Sequence, residues 1–206
     1  RLREAAWTAG FTLDPREKEA AEGEKPEGRT YASGKYGFEI SLPGEGWEFV
    51  ESPAPAVAIR MRHAASGASL TVSAVRAPPK GDLANMGARA EAALAGSYSG
   101  LRKLGGGAAR FSGTDALDVS FTGNSAGKPV RMRQVFLLQR SWFLTVAFAA
   151  EPTAWEAREA DFRKVEESFR FGDEVLVERF VDGRVVAVGL LDGEALGAVD
   201  LGARTR

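Results

Sequence analysis

His63 is the single histidine of the chain, and cysteine is absent. A Ser-His-Asp arrangement would therefore need His63 as its base. His63 alternates in phase with Ile59 and Met61, which reads as a core or rim histidine satisfied by its neighbours. Zinc held by its usual histidine and cysteine ligands is out of reach. The lack of cysteine also excludes disulfides and thiolate nucleophiles, while leaving the compartment open. Asp182-Gly183 and Asp192-Gly193-Glu194 are too sparse for a calcium loop, which needs several oxygen ligands at regular spacing. Type I′ turns account for both Asp-Gly pairs. Gly105-Gly106-Gly107 precedes an expected strand rather than a helix and lacks a following Lys-Ser/Thr. It therefore reads as a loop and not as a phosphate cradle. No catalytic, cofactor-binding or metal-ligating residue is assigned.

Two pairs of cations remain. Arg60 and Arg62, and separately Arg131 and Arg133, sit on strand faces opposite their apolar neighbours. If those strands adjoin, the four arginines form a small basic patch for an acidic partner or a lipid headgroup. The simpler reading, which is preferred, makes them solvated strand faces whose long stems cover the sheet. Globally, Lys plus Arg number 27 against 28 Asp plus Glu, so no net charge argues for nucleic acid or a membrane surface. Aromatics are not interleaved with the arginines, as single-stranded nucleic acid would require.

The elements that must position these residues are organised around residues 134–172. Val135 to Leu138 and Trp142 to Ala149 flank Gln139-Arg140-Ser141, and their aromatic and β-branched content reads as a tight hairpin. Trp142, Leu144, Val146 and Phe148 point one way, and Phe143, Thr145 and Ala147 the other. Apolar residues on both faces mark a strand near the middle of a sheet covered on both sides. Thr153 and Glu156 have capping-box spacing behind Pro152, and Trp155, Phe162, Val165 and Phe169 make one helical stripe. Upstream, Tyr36 to Leu42, Trp47 to Val50, Val57 to His63 and Ser69 to Val75 read as strands. Ala64 to Gly67 closes the last hairpin of that group. Asp82 caps a helix with inner face Leu83, Met86, Ala90 and Leu94 that ends by Gly96. Strands around Leu101 to Leu104, Leu117 to Phe121 and Val130 to Leu138 follow, the last two joined by a loop from Gly123 to Lys128. The fold class is α+β: a mainly antiparallel sheet flanked by helices.

An aromatic-rich first strand, Tyr36-Gly37-Phe38-Glu39-Ile40-Ser41-Leu42-Pro43, runs into Gly46-Trp47. Far downstream come the long hairpin, the helix with spaced aromatics and Ser168-Phe169-Arg170-Phe171. That order resembles the PsbP-like superfamily over residues 30–172. Its members include an extrinsic photosystem II subunit, DcrB-type lipoproteins and EagR-type chaperones. The resemblance implies a PsbP-like sandwich and non-enzymatic work in binding, assembly or chaperoning, and it carries over no functional residue. On it rests the expectation of a binding or assembly accessory in the periplasm or envelope, without a cofactor. The alternative is a cytoplasmic chaperone resembling EagR. An enzyme using paired carboxylates, such as a glycosidase, is a third class.

Residues 1–29 read as an arm and linker, 30–172 as the domain and 173–206 as a C-terminal β-meander turned at its two Asp-Gly pairs. The run Val185 to Leu191, including Val186, Val188 and Leu190, is uncharged and apolar on both faces, an aggregation hazard unless covered. The main domain, the N-terminal arm or another protein must cover it; a protein partner or a second copy of the chain is the expected cover, and nucleic acid is not. The longest apolar run is about eight residues against the roughly 18 that span a bilayer. Membrane attachment would therefore need an anchor absent from this chain. The chain opens on Arg1 with no visible signal peptide, which fits upstream residues having been removed.

Overall fold

The computed structural model describes residues 25–51, 56–78, 81–139 and 141–172 in full, and 177–181, 184–191 and 194–200 as strands. The chain runs β1 (Thr30–Ser33), β2 (Phe38–Ser41), β3 (Trp47–Val50), β4 (Val57–His63), β5 (Ser69–Arg76), α1 (Leu83–Ala95), β6 (Ser99–Phe111), β7 (Thr114–Ser125), β8 (Lys128–Gln139), β9 (Trp142–Ala150), α2 (Pro152–Ser168) and β10 (Arg170–Phe171). It continues through β11 (Val177–Val181), β12 (Arg184–Leu191) and β13 (Glu194–Asp200). A seven-stranded antiparallel sheet has the order β3-β4-β5-β9-β8-β7-β6, and a small sheet has the order β1-β2-β10.

β9 holds the centre because it is apolar on both faces. Leu144, Val146 and Phe148 are fully buried in one core with Phe38, Ile40, Trp47, Trp155, Phe162, Val165 and Phe169. Phe143 faces a second core formed with Met86, Ala90, Leu94, Phe121, Met132 and Phe136. Thus α2 and the small sheet cover one face of the large sheet, and α1 covers the other. Phe162 is the hinge of the first core, with its ring centroid 4.9 Å from Phe148 and 5.2 Å from Trp155.

Asp82 caps α1 as its position implies, its carboxylate accepting the Asn85 N–H at 2.9 Å. The capping box expected at Thr153 does not form. α2 begins two residues earlier, with Glu151 as its N-cap and Pro152 in the first turn, and no side chain caps it. The proline ring already holds the φ angle that a first helical residue needs and lacks an orphan N–H.

Two expected loops are strand instead. β7 and β8 pair out to Ser125 and Lys128, so the joint is Ala126-Gly127 alone, both at positive φ as a type I′ turn requires. Gly105-Gly106-Gly107 lies inside β6, at a register shift between Lys103 and Gly105. Gly106 has φ +138°, and a Cβ there would stand 2.2 Å from the Asp118 carbonyl oxygen. A triple glycine reads as a loop by composition, yet here Leu104 is the extra residue of a bulge, and Gly106 permits the close backbone approach to β7 that keeps the long strand paired.

The meander strands pair antiparallel in the order β11-β12-β13. The two Asp-Gly turns, the arm at residues 1–24 and the side chains of Val186, Val188 and Leu190 lie outside the described residues.

Two measurements check this packing. Phe162→Ala is expected to cost about 3–5 kcal/mol in denaturant melts, as other buried aromatic truncations do; a loss below about 1 kcal/mol would mean that the stripe is not buried. Gly106→Ala is expected to cost at least about 2 kcal/mol from clash and positive φ. Gly107→Ala, where a Cβ meets nothing within 4 Å, should stay within about 0.5 kcal/mol of the parent.

Candidate functional site

α2 lies over β8 and β9, leaving the β6–β7 end of the same sheet face open beside it. Between them runs a groove of about 740 Å³. Gly105, Gly107, Ala109, Asp118 and Ser120 floor it, Arg131 and Arg133 enter from β8, and Trp155, Glu159, Arg163 and Glu166 form the helical wall. The glycines matter because Cβ atoms at Gly105 and Gly107 would meet nothing within 4 Å, so the floor is low.

Charge inside the groove is mostly matched internally. Arg133 Nε and Nη2 donate to the Asp118 carboxylate at 2.6 to 3.0 Å, and its Nη1 donates to Glu166. Burial works against the Arg133 charge, but hydrogen bonding to Asp118 and the field of both carboxylates outweigh it and raise its pKa. Burial pushes the Glu166 carboxyl above its ordinary range; Arg133 pulls it back, and the Asp118 charge beside the same guanidinium pushes it up again. Arg163 lies 3.6 Å from Glu159.

Arg131 is different. Its guanidinium stacks 4.8 Å from the Trp155 ring centroid, its Nε is buried without a hydrogen-bond partner, and among the described residues no carboxylate pairs with it. Such a donor has given up water and gained only a ring face in exchange.

The four arginines do not make one patch. β5 and β9 separate β4 from β8. Arg60 and Arg62 alternate with Ile59 and Met61 of the first core, so they face the side covered by α1. There the Arg60 charge opposes the burial that raises the Tyr98 pKa. Arg131 and Arg133 face the side covered by α2. The groove itself was missed by sequence reasoning, because the glycines that make room for it read as a loop.

His63 is a rim residue. Its Nδ1 is 3.0 Å from Ser66 Oγ, and its Nε2 is 3.0 Å from Arg158 Nη1. Arg158 donates in turn to Asp161 at 2.7 Å, which also accepts the Trp47 indole N–H at 3.0 Å. A triad needs a carboxylate at the second ring nitrogen; an arginine stands there instead. Among the described residues no group of three or more His, Asp or Glu could hold a metal ion. No helix there is long and apolar enough to cross a membrane.

Two layers, a seven-stranded antiparallel sheet and a helix-plus-small-sheet cover, with a third helix layer behind, define an α+β sandwich. Its solved likenesses include cyanobacterial PsbP (CyanoP) from Synechocystis sp. PCC 6803, with TM-score 0.55, 16% identity and coverage of 69% of this chain and 91% of that one. LpqN of Mycobacterium tuberculosis, described as involved in cell envelope biogenesis, matches with TM-score 0.50 and 16% identity over 65% of this chain and 83% of that one. The domain has the PsbP-like fold, and at this identity the likeness is one of fold.

No family model matches the chain. Among curated proteins, a segment of 37 residues is 51% identical to D-alanine–D-alanine ligase of Citrifermentans bemidjiense and 46% identical to that of Geobacter sulfurreducens. The match spans 18% of this chain and 12% of each ligase, too little to show a family or an activity.

The raised Glu166 pKa gives a testable pH dependence. Between the ordinary glutamate pKa and the raised one, the folded protein holds a proton that the unfolded chain has released. Stability therefore falls as pH rises through that window. Thermal melts at successive pH values above the ordinary glutamate pKa are expected to show this fall, and Glu166→Gln should flatten it. Equal slopes in the two proteins would count against it.

Proposed function

We propose that the chain is a non-enzymatic binding or assembly accessory that acts through protein contacts in an envelope- or membrane-associated complex. One observation carries this: the groove keeps its acids engaged with Arg133 and Arg163 and, among the described residues, leaves a cation, Arg131, without a carboxylate. Paired acids with separate environments would suit acid–base chemistry, whereas a stacked, unsatisfied arginine suits recognition of an anionic group. The fold shared with LpqN and cyanobacterial PsbP supports the envelope setting, with residues 30–172 as the binding domain and 173–206 as an extension that meets a partner or a second copy.

Fractionation of the native host followed by native affinity capture tests the setting. The chain is expected in the envelope fraction with a stoichiometric protein partner whose recovery falls for Arg131→Glu. Recovery from the cytosol would overturn the envelope reading in favour of a cytoplasmic chaperone. Deleting residues 174–206 is expected to preserve the melting transition while abolishing the partner or dimer contact. Unfolding of the truncated chain would instead make the meander part of the core.

A further inference from the structure

β6 ends the seven-stranded sheet, and among the described residues no strand pairs with its outer edge. It is 13 residues long, and residues 102–108 are all exposed. The strand at the other end of the sheet, β3, has four. A long edge is a row of backbone donors and acceptors ready for another strand.

Three features restrict what that strand can be. First, β6 carries Arg102, Lys103 and Arg110 and no carboxylate. A second copy pairing antiparallel about Gly106 would set Arg102 of one chain against Arg110 of the other, and like charges directly opposed are destabilising. Second, positive charge is uncompensated at one end. Lys103 is held by Glu91 at 2.9 Å, and Arg110 lies 3.9 Å from Asp115. Arg102, Thr122 and Arg131 share one cross-strand register over β6, β7 and β8, and among the described residues neither arginine of that row has a carboxylate partner. Third, Leu104, the one large exposed hydrophobic among the described residues at 54%, sits at the bulge between these cations and the bare glycines.

We propose that β6 is a strand-addition site for an extended acidic segment of a partner protein. This rests on the protein-binding reading above and names the chemistry of the partner. Main-chain bonding to the β6 edge supplies affinity, and alternate side chains supply selectivity. Carboxylates answer Arg102 and the groove end at Arg131, and an apolar side chain covers Leu104. The cations that disfavour self-pairing thus select the partner.

Fluorescence anisotropy with a labelled peptide of about ten residues alternating glutamate and valine tests this, since strands of that length pair stably only on a template. A lysine–valine peptide and a glutamate–valine peptide N-methylated at every second residue serve as controls. The acidic peptide is expected to bind, to weaken with salt, and to perturb amide resonances along residues 99–111. Arg102→Glu with Arg110→Glu, both at exposed positions, should weaken it at least about tenfold and favour the lysine peptide. N-methylation should likewise cost at least about tenfold, because it removes edge hydrogen bonds. Equal binding of the N-methylated peptide, or resonance changes confined to α2, would overturn strand addition while leaving the protein-binding reading intact. Failure of the acidic peptide to bind, with the native partner still captured, overturns it equally. Loss of both the peptide and the captured partner removes the reading beneath it.

Discussion

Burial of β9 on both faces is the constraint on which the rest depends. Leu144, Val146 and Phe148 need one cover and Phe143 another, and a single strand cannot supply either. The large sheet therefore carries two cores, one under α2 and the small sheet, one under α1. α2 and β9 are joined by little more than Glu151, so the helix returns directly over its own strand and β8. That short connection has a cost in coverage: one 17-residue helix cannot also shield β7 and β6. The groove is the part of the sheet face that α2 does not reach.

Much of this was legible from sequence because it obeys local periodicity. The alternation of Trp142, Leu144, Val146 and Phe148 against Phe143 marked the central strand, and Trp155, Phe162 and Val165 marked the helix face, while Phe169, the last of the expected stripe, stands extended just past the helix end. What was not legible depends on competition between signals or on distant pairing. Thr153 and Glu156 have the spacing of a capping box, but Pro152 starts the helix first. Gly105-Gly106-Gly107 has the composition of a loop, but pairing with β7 on both sides of the bulge holds it in the sheet. Arg60, Arg62, Arg131 and Arg133 look equivalent in sequence. Only the strand order and the two cores that their neighbours join show that two face α1 and two face α2.

Arg131 and Arg133 show how one strand face can carry two different roles. Arg133 has carboxylates on both sides, from β7 and α2, and ties the sheet to the helix across the groove. Its three partly buried groups each expose about a quarter of their side chains, so the network is a fixed part of the wall. Arg131 lies two residues away on the same face, where Trp155 takes the place of a carboxylate. Cation–π contact supports the charge without neutralising it. One arginine is therefore consumed by the fold, and its neighbour has no carboxylate partner among the described residues.

The design of β6 follows the same logic at the sheet edge. An edge strand of this length is an aggregation risk, and charges and bulges are the ordinary protection. β6 has both, with Arg102, Lys103 and Arg110 along it and Leu104 at the bulge. Cations of one sign are a selective form of protection, because they repel a copy of themselves and attract a strand of opposite charge. Bare glycine at 105 and 107 adds no side chain that would hold such a strand away from the groove. Protection against self-association and recognition of an acidic partner are thus met by the same residues, and neither requires the rest of the sandwich to move.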